Sequence, residues 1–162
     1  MADAREIELC DKLVSVVKAA WNPSGNDSVS QEFLAPVTTS DLKDLVGRKV
    51  YLFPGPWSRE FADRGEDIEG YQIGAITINR FPEASGPTSA EVKAWMREQV
   101  YWVQAYLFDL LDYSGRTLLA LGSRRFWTQS IDVVQLYDQD ELARNNVFRC
   151  DLAYQFRELQ TR

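Results

Sequence analysis

The sequence predicts an α+β fold in which a mainly antiparallel or mixed β-sheet is covered on one face by a long helix and an N-terminal helix. Three patterns carry that reading. Residues 4–21 and 89–111 place apolar side chains at helical spacing, and residues 147–156 alternate apolar with polar. Between them, short runs of β-branched and aromatic residues are separated by Gly and Pro, with neither an internal repeat nor a second apolar core. The 162 residues therefore read as one domain, long enough to bury a core without staples.

Asp3 and Glu6 have capping-box spacing and open the first helix, residues 4–21. Ile7, Cys10, Val14, Val17 and Trp21 form its apolar stripe, broadened by Leu9, Leu13, Val16 and Ala20 beyond what a surface helix needs. Asn22-Pro23-Ser24-Gly25 stops it. Residues 22–39 then read as a long polar loop anchored by Phe33, Leu34 and Val37, of the kind that carries function or docks as an arm. Ser40 caps a short helical turn closed by Gly47. Residues 49–53 form a central strand that Pro54-Gly55-Pro56 is expected to end.

Residues 57–70 have no period. Glu60, Asp63, Glu66, Asp67 and Glu69 stand there against Arg59 and Arg64. The segment reads either as a solvated linker or as an acidic loop that meets a basic partner surface or regulates subunit contact.

Residues 71–81 form a long strand with both faces partly apolar, as in a sheet covered on one side and partly on the other. Thr88 and Glu91 repeat the capping-box spacing before the longest helix, residues 89–111, which at 1.5 Å per residue is about 35 Å long. Val92, Trp95, Met96, Gln99, Val100, Val103, Tyr106, Leu107 and Leu110 are its seam. Extended segments follow at 117–121, 126–137 and 147–156, the second with a bend expected near Trp127-Thr128-Gln129-Ser130. In the last, Phe148, Cys150, Leu152, Tyr154 and Phe156 face inward. Residues 138–145 are polar, with a helical turn at Leu142.

Composition narrows the chemistry. The chain has no histidine, which removes Ser-His-Asp and Cys-His nucleophiles, His-containing metal sites and an imidazole proton shuttle. Cys10 and Cys150 lie on apolar faces and read as two buried thiols. Eighteen Lys and Arg against twenty-four Asp and Glu give a net charge of −6, too acidic for a general nucleic-acid binder. No stretch approaches eighteen apolar residues, and the first residues are charged, against a membrane span or a secretory signal. Asp109 and Asp112 read as solvent-facing charges, and Asp138-Gln139-Asp140-Glu141 as a solvated turn or helix cap without the ligand pattern of a calcium loop. No catalytic residue, cofactor or metal is assigned.

The residues instead favour an assembling or binding domain. Five Trp, seven Tyr and eight Phe are many for one small domain. Trp57, Trp102 and Trp127 fall near loops or outside the narrowest core seam, where exposed aromatic area marks an assembly surface. Arg124 and Arg125, beside Phe126-Trp127, form an aromatic-basic cluster that suits a protein interface ahead of nucleic acid, given the negative charge. With Arg59, Glu60, Asp63, Glu66, Asp67 and Arg80, these make up the candidate interface.

The order of elements resembles the tail terminator, or tail completion, proteins of long-tailed bacteriophages. The matching pieces are Leu45-Val46-Gly47-Arg48-Lys49-Val50-Tyr51-Leu52-Phe53-Pro54 and Ser58-Arg59-Glu60. They continue with Tyr71-Gln72-Ile73-Gly74-Ala75-Ile76-Thr77-Ile78-Asn79-Arg80-Phe81 and the helix from Glu91. Val147-Phe148-Arg149-Cys150-Asp151-Leu152-Ala153-Tyr154 looks like the closing strand. The likeness covers roughly residues 4–157, through patterns of hydrophobicity and a few polar marks, and is weakest at 114–145.

The resemblance implies a homohexameric ring in the virion, assembled in the bacterial cytoplasm, on the head-proximal end of the tail tube. Such a ring ends tube polymerisation and presents a surface to head-completion or neck proteins, while DNA passes through it without sequence-specific binding. The alternatives are a head–tail adaptor, a tail-tube subunit, or a small carboxylate- and metal-dependent enzyme.

Overall fold

The computed structural model describes residues 4–33, 44–61, 66–82, 88–111 and 118–161. Helix α1 (Arg5–Trp21) is followed by strands β1 (Ser28–Gln31), β2 (Lys49–Phe61) and β3 (Glu66–Arg80). Helix α2 (Ser89–Val103) continues through a π turn (Gln104–Phe108) and ends in a 3₁₀ turn (Asp109–Leu111). Strands β4 (Leu118–Leu121) and β5 (Arg124–Gln135), helix α3 (Gln139–Asn145) and strand β6 (Val147–Thr161) complete the chain. The strands form one mixed sheet in the order β1-β2-β3-β6-β5-β4, parallel between β1 and β2 and antiparallel elsewhere. The fold is α+β, as the sequence predicts.

Alternation along the central strands assigns the faces. Tyr71, Ile73 and Ala75 of β3 and Phe148, Cys150, Leu152, Tyr154 and Phe156 of β6 pack in one core with Leu9, Cys10, Leu13, Val14 and Val17 of α1. The five β6 residues are each at most 2% exposed, so truncating a large one there costs roughly 2–5 kcal/mol. Trp95, Val103, Leu107 and Leu111 bring α2 and its continuation onto the same face. Tyr154 hydroxyl donates to the Leu107 carbonyl at 2.6 Å, tying β6 to the π turn. The opposite face holds a smaller cluster of Leu45, Ile76, Ile78 and Val147, edged by Tyr51 and Phe53. Both faces of β3 are therefore occupied, one more fully.

Local signals explain the helix ends. Thr88 and Glu91 form the expected capping box, and Asp138 caps α3 by accepting from the backbone N–H groups of Asp140 and Glu141. At α1 the N-cap is Ala4, without a side-chain cap; Asp3 lies outside the described residues. Asn22 takes the left-handed conformation that ends α1, at φ 52°.

Several expectations need correction. Residues 22–39 are not one loop, because β1 forms within them and pairs with β2. Leu34, Val37 and Ser40 lie outside the described residues. Pro54-Gly55-Pro56 does not end β2. The register shifts between Pro54 and Trp57 and the strand runs on to Phe61. Among the described residues no strand pairs with the outer side of β2 beyond Leu52, so the prolines remove no ladder hydrogen bond there. Most of residues 57–70 are likewise strand, with Trp57 opposite Tyr71 and Arg59 opposite Glu69. Their alternation escapes a hydropathy reading because charged residues occupy both faces. The bend in β5 appears as a register shift between Thr128 and Ser130.

Candidate functional site

Among the described residues the sheet leaves two margins open, on opposite sides of the fold. On the β2 side, β1 covers residues 49–52. On the β5 side, β4 covers residues 124–127. Beyond them, among the described residues, no strand continues the sheet past residues 55–60 of β2 or 130–135 of β5. Large apolar side chains border each margin: Trp57 is 68% exposed and Phe61 73% on one, Val134 69% on the other, with Val133, Leu136 and Tyr137 also exposed. An open edge bordered by exposed apolar groups can accept another strand.

Beside the β2 margin lies an ionic cluster. Glu69 on β3 stands between Arg59 of β2 and Glu158 of β6 in the cross-strand register. Glu69 and Glu158 are 5% and 3% exposed, and two facing carboxylates repel. Arg59 Nε donates to Glu69 Oε1 at 3.0 Å, while Arg5 from the start of α1 pairs with Glu69 and lies 3.8 Å from Glu158. The Tyr71 hydroxyl donates to Glu69. Burial works against ionisation of Glu69, but the Tyr71 and Arg59 hydrogen bonds and the charges of Arg5 and Arg59 outweigh it and hold the carboxyl below its ordinary pKa. Burial, opposed by Arg5 and reinforced by Glu69, pushes Tyr71 up to about 12.

The residues singled out in the sequence are dispersed. Trp57, Arg59 and Glu60 share the far end of β2, and Asp67 is buried on β3. Asp63 lies outside the described residues, and of Glu66 the backbone alone, at the start of β3, is described. Arg80 is half-buried at the other end of that strand. Arg124 is engaged within the chain, its Nη2 2.9 Å from Glu8 of α1. Arg125 is exposed and donates to the carbonyls of Gly122 and Arg124 at the β4–β5 turn. Trp127, 37% exposed, lies opposite Arg157.

Trp102 is no loose surface ring. It packs edge-on against Trp21 with centroids 4.8 Å apart, tilts against Tyr106 at 5.5 Å, and carries the Arg48 guanidinium 3.9 Å from its centroid. Sequence reasoning assigned no role to Arg48 or Glu158. Glu158 had a signal, since it continues the inward alternation of Phe148 to Phe156. Arg48 had none, because it precedes its strand and its partners come from α2.

Cys10 and Cys150 are buried free thiols, pushed up to about 12 by burial and the charges of Asp11 and Asp151. Neither is thiolate at neutral pH. Among the described residues no three Cys, Asp or Glu converge as metal ligands would, and no helix is long and apolar enough to cross a bilayer. No protein-family model matches the chain, and no curated protein is significantly similar to it.

Proposed function

We propose that this chain is a structural subunit that joins copies of itself into a closed ring, and that the ring caps the head-proximal end of a bacteriophage tail tube. The observation that carries the self-assembly is the pair of sheet margins at residues 55–60 and 130–135, open among the described residues and each bordered by exposed apolar side chains. A ring needs a heterologous contact between two different surfaces of each subunit. A β2 margin meeting the β5 margin of the next copy meets that need and continues the sheet from subunit to subunit. The tail-capping role rests on the resemblance of element order and strand sequences set out above. In this reading the protein performs no reaction. It ends tube polymerisation, offers the opposite rim to neck or head-completion proteins, and lets DNA pass.

The experiment is electron microscopy of tail tubes assembled with and without the protein. Capped tubes of regulated length are expected, and tubes unchanged by its addition overturn the proposal. Trp57→Arg and Val134→Arg test the margins: each should abolish ring formation while leaving the unfolding midpoint of the monomer unchanged. Charge reversal at Arg59 or Arg124 is a poor test, because both pair with carboxylates of their own chain. The net charge of −6 also favours a lumen that repels DNA, and a strongly positive channel wall in the assembled ring would refute that point.

A further inference from the structure

Among the described residues Arg48 is a buried cation without an ion-pair partner. It is 7% exposed and directly precedes β2. The turn that delivers it is specific: Gly47 sits at φ +75°, a Cβ there would lie 2.7 Å from the Asn26 backbone, and the Arg48 N–H donates to Asp27 Oδ1 at 2.7 Å. The guanidinium lies over Trp102 and donates through Nη2 to Gln99. Gln99, itself 3% exposed, is oriented by Asn79 Nδ2, which donates to its Oε1 at 2.9 Å. Its own Nε2 donates to the Trp95 carbonyl at 3.3 Å. Nη1 of Arg48 is buried and reaches no acceptor among the described residues. Burial pushes Arg48 down to about 10, against the charge of Asp27, so it remains cationic at neutral pH.

Arg48 also lines an open cleft of about 720 Å³. Trp21, Trp102, Tyr106 and Tyr101 wall it, and Arg97 and Glu98 stand on the lining as well. The volume suits a small organic ligand. Amide and indole partners satisfy the guanidinium only partly, and in a dry setting a carboxylate is its strongest complement.

We propose that this cleft binds a carboxylate carried on a flat apolar stem, the carboxylate accepting from Arg48 and the stem lying against the aromatic walls. A monoanion fits better than a phosphate dianion, because Asp27 and Glu98 balance Arg48 and Arg97 on the same lining and leave no surplus positive charge for a second negative one.

The test titrates the full chain with benzoate and with neutral benzamide, following the indole N–H resonances. Benzoate should shift the Trp21 and Trp102 signals saturably, with benzamide at least tenfold weaker. Gln99→Glu sets a carboxylate against Arg48 from within and should abolish benzoate binding in a folded protein. Arg48→Gln should weaken binding at least tenfold and serves if Gln99→Glu does not fold. Equal response to the two probes, no saturable shift, or wild-type benzoate affinity in a folded variant overturns the proposal. Sedimentation then separates the sources of the carboxylate. Self-association that falls as benzoate saturates assigns it to a neighbouring copy, and unchanged association in the presence of binding assigns it to a free small acid.

Discussion

Glu69 and Arg48 are buried to nearly the same degree, 5% and 7% exposed, yet their surroundings are opposite. Glu69 is met by two cations and a phenol, so the cost of its burial is offset within the chain. Arg48 is met by an amide, an indole face and the more distant charge of Asp27, and one of its terminal nitrogens reaches no acceptor among the described residues. The first arrangement is a latch that ties α1 to the far ends of β2, β3 and β6. The second leaves electrostatic attraction unspent beside an open cleft. A charge fully met within the chain points to structure, and one met only in part points to a ligand.

The largest effect should come from stripping the latch of its cations. Arg5→Ala combined with Arg59→Ala leaves Glu69 facing Glu158 and should cost about 3–5 kcal/mol in urea unfolding at neutral pH. A loss below about 1 kcal/mol would mean that the cluster is not what closes the hairpin onto α1.

Acid titration addresses the same group from the other side. The folded pKa of Glu69 is depressed, so its contribution is complete above the unfolded value of about 4.3 and disappears as pH falls through the folded value. Glu69→Gln should cost about 1.5–3 kcal/mol at neutral pH and flatten the acid limb of the stability curve. An unchanged limb would show that the carboxylate gains nothing from its neighbours.

Smaller changes are expected around Arg48. Gly47→Ala forces a side chain into a left-handed turn against the Asn26 backbone and should cost about 1–2 kcal/mol, read by thermal unfolding. Arg48→Met removes a cation with no ionic partner among the described residues and should leave stability within about 1 kcal/mol of the parent. A loss as large as that of the Arg5/Arg59 pair would erase the contrast between the clusters.

Much of the fold was legible because periodicity is a local property. The apolar stripe of α1, the Thr88–Glu91 capping box, the inward set of β6 and the irregularity after Trp127 all follow from near neighbours. The hairpin end at 57–70 was illegible for a physical reason. Its inward positions include Asp67 and Glu69, and a buried carboxylate looks like an exposed one until its cations are known. Residues 28–31 read as loop because a four-residue strand holding one buried apolar side chain, Val29, has too little pattern to detect.

The candidate surface divides in the same way. Trp57 proved exposed, whereas Trp102 is tied into a cluster with Trp21, Tyr106 and Arg48, and Arg124 is spent on Glu8. The α+β class, the amphipathic helices and the lack of histidine chemistry were readable from the amino acids alone, since each depends on composition or on residues a few positions apart. Which strand margins stay open among the described residues, and which charges cancel there, follows from how distant segments pack. Arg5 meets Glu69 across 64 positions and Arg48 meets Gln99 across 51, and electrostatic compensation depends on distance in space rather than along the chain.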